Sequence, residues 1–459
     1  MLVTVPSGKV PTTAPVASSA AGSDLSVRPA RRVVWASFVG TALESYDFYV
    51  FAYFAAFFVG PLFFEPLGAA GATLAAFLTI AVAFVIRPVG AIVFGHLGDR
   101  LGRRRTLIVT ITMMGIATGL IGVLPTYAQA GWLAAVLLVL LRLVQGISLG
   151  GEWGGAVALA TEHAPAARRG LWAAFPQLGS PVGSILSAVV FLVMTALVST
   201  EEMVAWGWRI PLLTAFPLLL VSLYLRWSID ETPAFRRLQA GALRARLPLA
   251  RVLRAQPAAF GVAILAALLG IGSYSLMNTY TINYGASALG FSYGDLLTAT
   301  TIGGLLQLVT IPLFGWWATR IGSARVVAIG AVGTLVVAFP IYFALQSATF
   351  GVLVGMMIVG GILPTLSWAA LGGLMSDLFA ARYRYSALAV AYSLAAMLTA
   401  FVPTITELLG QATADAWWHP GVVLAVLSVL TLVGAVLATR LRVPDEERVV
   451  DEEPETVAA

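Results

Sequence analysis

Four charged residues lie inside long apolar stretches of the sequence, where a charge is costly. Glu44 and Asp47 stand three residues apart in VGTALESYDFYVFAYF, a spacing that places both on one face of a helix. Arg87 and Arg142 interrupt two further apolar stretches. A carboxyl group in such surroundings can carry a proton or pair with an arginine, and a guanidinium can grip a carboxylate through two parallel hydrogen bonds. These residue types therefore indicate proton transfer, ion pairing or anion binding in an apolar environment.

The composition is that of a membrane protein. Of the 459 residues, 59% are hydrophobic and 11% charged, whereas soluble domains are about 45–50% apolar and about 25% charged. The three histidines are scattered and cysteine is absent, so no metal site, cofactor or enzyme active site is predicted. A membrane-crossing helix needs about 20 apolar residues, and such runs predict twelve helices in an all-α membrane protein. We expect them at roughly 33–60, 70–97, 106–124, 131–159, 170–199, 207–227, 257–284, 293–318, 324–345, 348–376, 384–410 and 420–440.

The basic residues predict how the chain is oriented in the membrane. Of the 27 Lys and Arg residues only Arg87 and Arg142 lie deep inside an apolar run, and 24 of the other 25 fall in the tails or at the even-numbered connections, counting the run ends beside them. Only Arg209 falls on the other side. Since positive charge accumulates on the cytoplasmic side, we expect a multi-pass protein of the inner (plasma) membrane with both termini in the cytoplasm. The basic clusters then contact lipid headgroups of the bilayer, and no nucleic acid is expected as a partner.

An internal repeat divides the chain into two halves. GHLGDRLGRRR follows the second run and GWWATRIGSAR follows the eighth, 220 residues later. Duplicated transporters place the substrate path between their halves and alternate access to it by rocking. The predicted organisation is a disordered cytoplasmic tail (1–30), a six-helix half (31–227), a cytoplasmic linker (228–256), a second six-helix half (257–442) and an acidic cytoplasmic tail (443–459).

Several strings in the chain resemble those of one transporter family. GHLGDRLGRRRTL is similar to the cytoplasmic signature of the major facilitator superfamily, and RLVQGISLGGEWGGAVALATEHAPAARRG resembles its fourth-helix pattern. ASFVGTALESYDF, WGWRIPLL and DETPAFRRL, with RYSALA later in the chain, narrow the resemblance to the metabolite–proton symporter family, whose members carry small organic acids or zwitterions. The resemblance covers nearly all of residues 31–442. It implies a monomer that imports a small-molecule substrate, a mono- or dicarboxylate, with protons. Symport of a zwitterion such as proline or betaine, and efflux by antiport, remain open.

The acids of the first predicted helix are the candidates for proton coupling. Asp47 lies 14 residues beyond Val33, and Arg142 lies ten residues into the fourth run, which is about 21 Å and about 15 Å of helix. A charge at mid-membrane costs about 2.5–3.5 kcal/mol, which an opposite charge offsets. The resemblance to sugar–proton carriers implies that Asp47 and Arg142 form the coupling pair. We expect Asp47 to carry the proton, Arg142 to modulate it, and Glu44 to be the reserve carrier. The alternative is a static ion pair that only fastens two helices.

Substrate binding is assigned to the deep arginines and to polar residues of the second half. We expect Arg87 to grip a substrate carboxylate, and Arg142 is a second candidate ligand. The alternative for Arg87 is a partner role, either to Glu44 or to a backbone carbonyl freed by Pro88. Polar and aromatic residues that can bind a small ligand, or else anchor at the interface, are Tyr274, Asn278, Tyr280, Gln307 and Trp368.

Charged residues at the cytoplasmic ends of the helices are expected to form a gate. Exposed ion pairs contribute only about 0–1 kcal/mol each, which suits contacts that break and re-form. A solvated charged loop is the alternative. The family repeats an Asp-Arg pair in its second half, but Thr319 stands here in place of the acid, which favours inward-open states. The gate candidates are Asp99, Arg100, Arg103, Arg104, Glu152, Glu162, Arg169, Arg320, Asp377 and Arg384.

Overall fold

The structure is a computed structural model. It describes residues 27–101, 103–150, 157, 160–161, 164, 168–227, 256–379 and 381–441. Of these, only the backbone is described at 27–37, 39–40, 44, 95–101, 103–105, 107, 169, 225–227 and 381–386. The acidic tail, and nearly all of the first tail and the linker, lie outside the described part of the chain.

The described ranges fold into twelve principal helices. Ten spans are long and apolar enough to cross a membrane, and two shorter apolar segments, Ile108–Ile121 and Trp132–Ser148, complete the predicted number. The first helix begins at Val27, inside the predicted tail, where Pro29 in the first turn is compatible with a helix start. The helices are α1 Val27–Phe54, α2 Gly68–Leu101, α3 Arg103–Ile121, α4 Trp132–Ser148, α5 Gly179–Leu197, α6 Ala215–Trp227, α7 Pro257–Ser275, α8 Tyr293–Ile321, α9 Ser323–Leu345, α10 Phe350–Leu378, α11 Ala381–Thr399 and α12 His419–Arg440.

Several helices are extended by short segments with a different helical geometry. A short helix, Arg169–Ala174, leads into α5 through a tight 3₁₀ turn at Phe175–Leu178, where Pro176 interrupts the run as the sequence predicts. A wide π turn at Leu276–Tyr280 continues α7. Departures from regular helix are tolerated at membrane depth where they are buried in protein or line a cavity. Both interruptions contribute residues to the cavity described below.

The packing pattern repeats between the two halves. In the first half α1 packs on α5, α2 on α4, and α3 on α6; in the second, α7 packs on α11, α8 on α10, and α9 on α12. The halves meet where α5 packs on α8 and where α2 packs on α11. These two contacts are equivalent under the same repeat, since α5 corresponds to α11 and α2 to α8. The predicted architecture of two pseudo-symmetric six-helix halves is confirmed.

Burial separates a central group of helices from those that face lipid. The span that contains most of α1 is 83% buried, and the spans of α7 and α11 are 72% and 67% buried, against 44% for α2. Large apolar side chains stay exposed along helices such as α2, α4 and α9, as expected for a surface solvated by lipid tails. The central helices therefore hold the residues that can surround a substrate.

Close contact between α2 and α4 sets the position of both deep arginines. A Cβ atom added to Gly146 would lie 2.2 Å from the Ala83 carbonyl oxygen, and one added to Gly150 would lie 2.1 Å from the Ala91 nitrogen. Glycine allows the two backbones to touch, as small residues do at membrane helix interfaces. Carbonyl groups of each helix thereby come within reach of the arginine of the other.

Candidate functional site

A cavity of about 150 Å³ lies between the two halves. The central helices α1, α7 and α11 line it together with α2, α5, α8 and α10, so both halves contribute to its wall. Its polar and aromatic lining residues are Thr41, Ser45, Phe48, Tyr49, Phe84, Arg87, Gln177, Ser180, Ser273, Tyr274, Ser275, Asn278, Gln307, Thr365, Trp368, Tyr392 and Thr399. A small enclosed site with a few polar groups among apolar walls is typical of small-molecule binding.

Arg87 is the cation of this cavity. It is 6% exposed, and its Nε donates to the Leu149 carbonyl of α4 at 3.1 Å. Its guanidinium carbon lies 5.2 Å from the ring centre of Tyr392 and 6.0 Å from that of Phe84. Among the described side chains no carboxylate pairs with Arg87, while the side chain of Glu44 lies outside the described part. Among the described residues only Nε of Arg87 has a hydrogen-bond acceptor, which leaves the two terminal nitrogens of the guanidinium for a ligand.

Arg142 lies outside the cavity lining and is 1% exposed. Its Nε donates to the Thr79 carbonyl at 3.0 Å and one terminal nitrogen donates to the Ile80 carbonyl at 3.4 Å. The other terminal nitrogen donates to Gln145 Oε1 at 2.7 Å. The guanidinium also lies 3.8 Å from the ring centre of Phe51. In this conformation Arg142 therefore contacts protein groups rather than the space available to a substrate.

The sequence predicts a direct ion pair between Asp47 and Arg142. Both side chains are described by the structure, and no salt bridge joins them. The carboxyl group of Asp47 interacts instead with the hydroxyl group of Thr118 on α3. The donors of Arg142 are occupied by α2 carbonyls and by Gln145, and on the α1 side its guanidinium lies against the ring of Phe51. Asp47 is absent from the cavity lining, although its neighbours Phe48 and Tyr49 belong to it. The reserve carrier Glu44 lies outside the described side chains.

The predicted ligands of the second half divide between two locations. Tyr274, Asn278, Gln307 and Trp368 line the cavity. Tyr280 does not, because its hydroxyl group is 2.5 Å from His419 Nε2 at the start of α12 and the residue is 1% exposed. Tyr280 belongs to the packing between α7 and α12 rather than to the cavity wall.

Tyr49, Gln177 and Ser180 line the cavity but did not emerge from the sequence. The Tyr49 hydroxyl bonds to that of Ser180, and its ring centre lies 4.4 Å from that of Tyr274 in the other half. Gln177 Nε2 donates to the Trp368 carbonyl at 3.0 Å, again across the halves. A signal for Gln177 and Ser180 was available, since Gln177 follows Pro176 and Ser180 precedes Pro181, the two prolines that interrupt an otherwise apolar run.

The two halves touch on both sides of the cavity. On the side of the bundle where α12 ends, the Leu171 N–H donates to Thr319 Oγ1 at 3.1 Å. On the opposite side, Asn283 Nδ2 donates to the Ala56 carbonyl at 2.7 Å, and the ring centres of Phe57 and Tyr293 lie 4.6 Å apart. Alternating access requires contacts such as these to separate on the side that opens.

Comparison with known proteins identifies the family. Residues 33–260 match the model of the "Sugar (and other) transporter" family, and residues 284–458 match that of the "Major Facilitator Superfamily". The chain is 36% identical over 398 residues to the shikimate transporter of Escherichia coli K12, covering 86% of this chain and 91% of that one. The chain belongs to the major facilitator superfamily. It is therefore a multi-pass membrane transporter and not an enzyme, which confirms the resemblance read from its motifs.

Other facilitators show the range of this similarity. A proline/betaine transporter of Salmonella typhimurium LT2 is 30% identical over 414 residues, which are 88% of this chain and 82% of the relative. A solved structure of the proton:xylose symporter XylE matches with a TM-score of 0.72 and 18% identity, covering 92% of this chain and 98% of that one. That structural likeness shows a shared fold.

The predicted facilitator gate lies largely outside the described side chains. Of its ten candidates, Arg320 is described with its guanidinium carbon 4.5 Å from the ring centre of Trp316, and Asp377 is described as half-buried near the end of α10. The gate remains a prediction for all ten residues, and the side chains of the other eight lie outside the described part of the chain. They are Asp99, Arg100, Arg103, Arg104, Glu152, Glu162, Arg169 and Arg384.

Thr319 gives the gate a testable contact. A Thr319→Val substitution keeps the side-chain shape but removes the acceptor for the Leu171 N–H. Loss of a hydrogen bond of about 0.5–1.5 kcal/mol should shift the equilibrium about two- to tenfold toward states open on this side. Thr319→Asp should shift it the other way, because a carboxylate accepts the same hydrogen bond more strongly.

The chain has no native cysteine, so thiol labelling of an introduced cysteine measures how often this side opens. Ala174 is 1% exposed and packs against α8 near this contact, so Ala174→Cys provides a thiol that reacts only when the side opens. Thr310→Val is the matched control, since the Thr310 hydroxyl donates within α8 to Leu306. Labelling should be faster with Thr319→Val and slower with Thr319→Asp. Rates equal to the control in both variants would show that Thr319 does not set the equilibrium.

Proposed function

We propose that this protein imports a small organic acid, a mono- or dicarboxylate, together with protons by alternating access. Arg87 carries this proposal, because it is the only charged residue among the described residues that line the cavity. Arg87 is a buried cation with no counter-ion among the described side chains, and such a group gains most from an anion that enters from solution. One guanidinium matches one carboxylate, so a monocarboxylate is the simplest occupant.

Proton coupling in this proposal depends on Asp47. The residue lies on α1, and its neighbours on the same helix, Ser45, Phe48 and Tyr49, line the cavity. A change in the charge of Asp47 therefore acts on a helix that forms part of the substrate wall. A buried carboxyl group that binds and releases a proton is the element a proton symporter requires.

A zwitterionic osmolyte such as proline or betaine is the second candidate. The rings of Tyr49, Tyr274 and Trp368 face one cavity, and aromatic rings bind quaternary ammonium groups through cation–π interactions. Arg87 would hold the carboxylate of either substrate. The proline/betaine transporter among the relatives favours keeping this candidate, whereas the shikimate transporter is consistent with the organic acid.

The distribution of basic residues supports an orientation for the carrier. We propose that it lies in the inner membrane as a monomer with both termini in the cytoplasm, and that it has no nucleic-acid partner. The side of the cavity closed by Leu171 and Thr319 is then cytoplasmic, and the side closed by Asn283 and Ala56 is outer. Protease access to epitope tags on the two termini in sealed spheroplasts tests this orientation.

Two steps test the proposed activity. The purified protein is first screened for thermal stabilisation by organic acids, sugar acids and betaines. Each stabilising compound is then offered to proteoliposomes with an inward proton gradient, and external pH is recorded beside uptake. Accumulation of an acid with external alkalinisation supports the proposal. Accumulation of betaine alone supports the osmolyte, and external acidification on substrate addition indicates efflux by antiport.

A further inference from the structure

A buried hydrogen-bonded chain runs from Arg142 through Gln145 to Thr118, whose hydroxyl group lies beside the Asp47 carboxyl group. Arg142 donates to Gln145 Oε1 at 2.7 Å, and Gln145 Nε2 donates to Thr118 Oγ1 at 2.8 Å. The Thr118 hydroxyl in turn interacts with the Asp47 carboxyl group. Thr118 and Gln145 are both fully buried, and neither lines the cavity.

The direction of this chain is fixed by its cationic end. A guanidinium can only donate, so the Gln145 amide must turn its oxygen toward Arg142 and its NH₂ group toward Thr118. Thr118 then accepts at its oxygen and has one hydrogen left to donate. The donations from Arg142 and from Gln145 both run from the cation on α4 toward Thr118 on α3.

Thr118 has two possible acceptors for that single hydrogen. Its hydroxyl lies 2.9 Å from the Met114 carbonyl, one turn back in α3, and also beside Asp47. An ionised Asp47 is the stronger acceptor and takes the hydrogen, whereas a protonated Asp47 leaves it to the Met114 carbonyl. The orientation of the Thr118 hydroxyl group therefore depends on the charge of Asp47, and Gln145 is hydrogen-bonded to that hydroxyl group.

Arg142, the cationic end of the chain, is also bonded to α2, the helix that carries Arg87. Arg142 donates to the carbonyls of Thr79 and Ile80 on α2. Arg87 follows Ile80 by seven residues on the same helix, which is about two turns. Arg142 is thus bonded on one side to the Asp47 chain and on the other to the backbone that positions Arg87.

We propose that Thr118 and Gln145 form a neutral bridge through which the protonation state of Asp47 is coupled to Arg142 and α2. This inference rests on the proposed proton symport. Thr118 and Gln145 are positioning residues, since they act on Asp47 and Arg142 and touch no substrate. A bridge of two neutral groups stabilises the ionised carboxylate without the close ion pair that would hold it permanently charged.

Other titratable groups near Asp47 are accounted for. The adjacent Tyr46 donates its hydroxyl to the Pro211 carbonyl at 2.8 Å, and α5 has no acidic, basic or histidine residue. Arg209 is bonded to the carbonyls of Gly122 and Leu124, and Tyr280 to His419. Tyr224 of α6 is 72% exposed. The side chains of Glu44, Arg103, Arg104, Arg105 and Arg226 lie outside the described part.

The test is an infrared pH titration of the purified protein in detergent, with no substrate present. The protonated carboxyl band of Asp47 is identified as the one that Asp47→Asn removes. Thr118→Val and Gln145→Met should each raise the midpoint pH of that band by about one to two units, because ionised Asp47 loses its stabilising donor. The double variant should shift no further than the larger single shift, because either break interrupts the same bridge.

Two further variants distinguish loss of the bridge from a general effect of substitution in α3. Thr118→Ser retains the hydroxyl and should restore the native midpoint. Thr112→Val is the control on α3, because the Thr112 hydroxyl donates within the helix to Ile108 at 2.7 Å. Midpoints in Thr118→Val and Gln145→Met that equal this control, or additive shifts in the double variant, overturn the inference, as does an Asp47 band that never titrates.

This experiment distinguishes the bridge from the proposed function. The band shift requires no transport, so a protein that shows the shift but transports without protons keeps the bridge and loses the symport assignment. A protein that accumulates acid on a proton gradient without the band shift keeps symport and loses the bridge.

Discussion

Asp47→Asn abolishes uphill accumulation of the substrate while exchange of substrate across the membrane continues. An amide has nearly the shape of the carboxyl group and still bonds to Thr118, but it cannot release a proton. One proton per substrate supports an accumulation of about tenfold for each pH unit of gradient. In the variant the ratio of internal to external substrate falls to about one. Proteoliposomes measured in parallel for gradient-driven uptake and for counterflow give both quantities.

Two further variants complete the Asp47 experiment. Asp295→Asn is the matched control, because Asp295 is a half-buried acid that accepts a hydrogen bond from Ser292 at the start of α8 and does not line the cavity. It should accumulate substrate as the native protein does. Full accumulation by Asp47→Asn would contradict the assignment and make Glu44 the proton carrier, which Glu44→Gln would then test in the same assay.

Arg87→Lys weakens binding of the organic acid by about 10- to 100-fold, although the charge is kept. Hydrogen bonds to charged groups contribute about 1.5–3 kcal/mol, and lysine loses the planar fork that binds a carboxylate at two points. The guanidinium is also fixed in place by Leu149 and by the ring of Tyr392, neither of which suits an ammonium group equally well. Equilibrium binding of the acid found in the thermal screen measures the change.

Arg142→Lys is the informative comparison for Arg87→Lys. Arg142 lies outside the cavity, so its substitution should change the proton dependence of uptake more than the affinity for the acid. Arg209→Lys serves as a control for folding, since Arg209 donates to the carbonyls of Gly122 and Leu124 away from the cavity. Normal affinity in all three variants would mean that the anion is bound elsewhere or that the substrate is not an anion.

The architecture could be predicted from the sequence because it depends on length and composition. A helix must be long and apolar to cross the hydrocarbon layer, so twelve apolar runs predict twelve crossings wherever their exact ends lie. The duplicated loop strings and the family motifs then supplied the two halves. The depth of Asp47, Arg87 and Arg142 in the membrane also followed, since each residue advances a helix by a fixed rise.

What the sequence could not supply is the direction in which each side chain points around its helix. In a soluble helix an apolar stripe identifies the buried face, but helices that are apolar on every side carry no such signal. The sequence therefore left Arg142 as a second candidate ligand beside Arg87, and only the packing of α2 against α4 places Arg87 in the cavity and Arg142 outside it. The direction in which each side chain points likewise leaves Tyr280 outside the cavity and places Tyr49 in its lining.

The sequence by itself determined the membrane class, the twelve helices, the family and the identity of the deep charges. The tertiary structure alone decided which charges meet and through what. Gln145 follows Arg142 by three residues, a spacing that places both on one face of α4, but nothing in the sequence marks Thr118 as a partner of either. Thr118 and Gln145 meet because α3 and α4 bring residues that are far apart in the chain within hydrogen-bond distance, and a desolvated polar group must find its partner there.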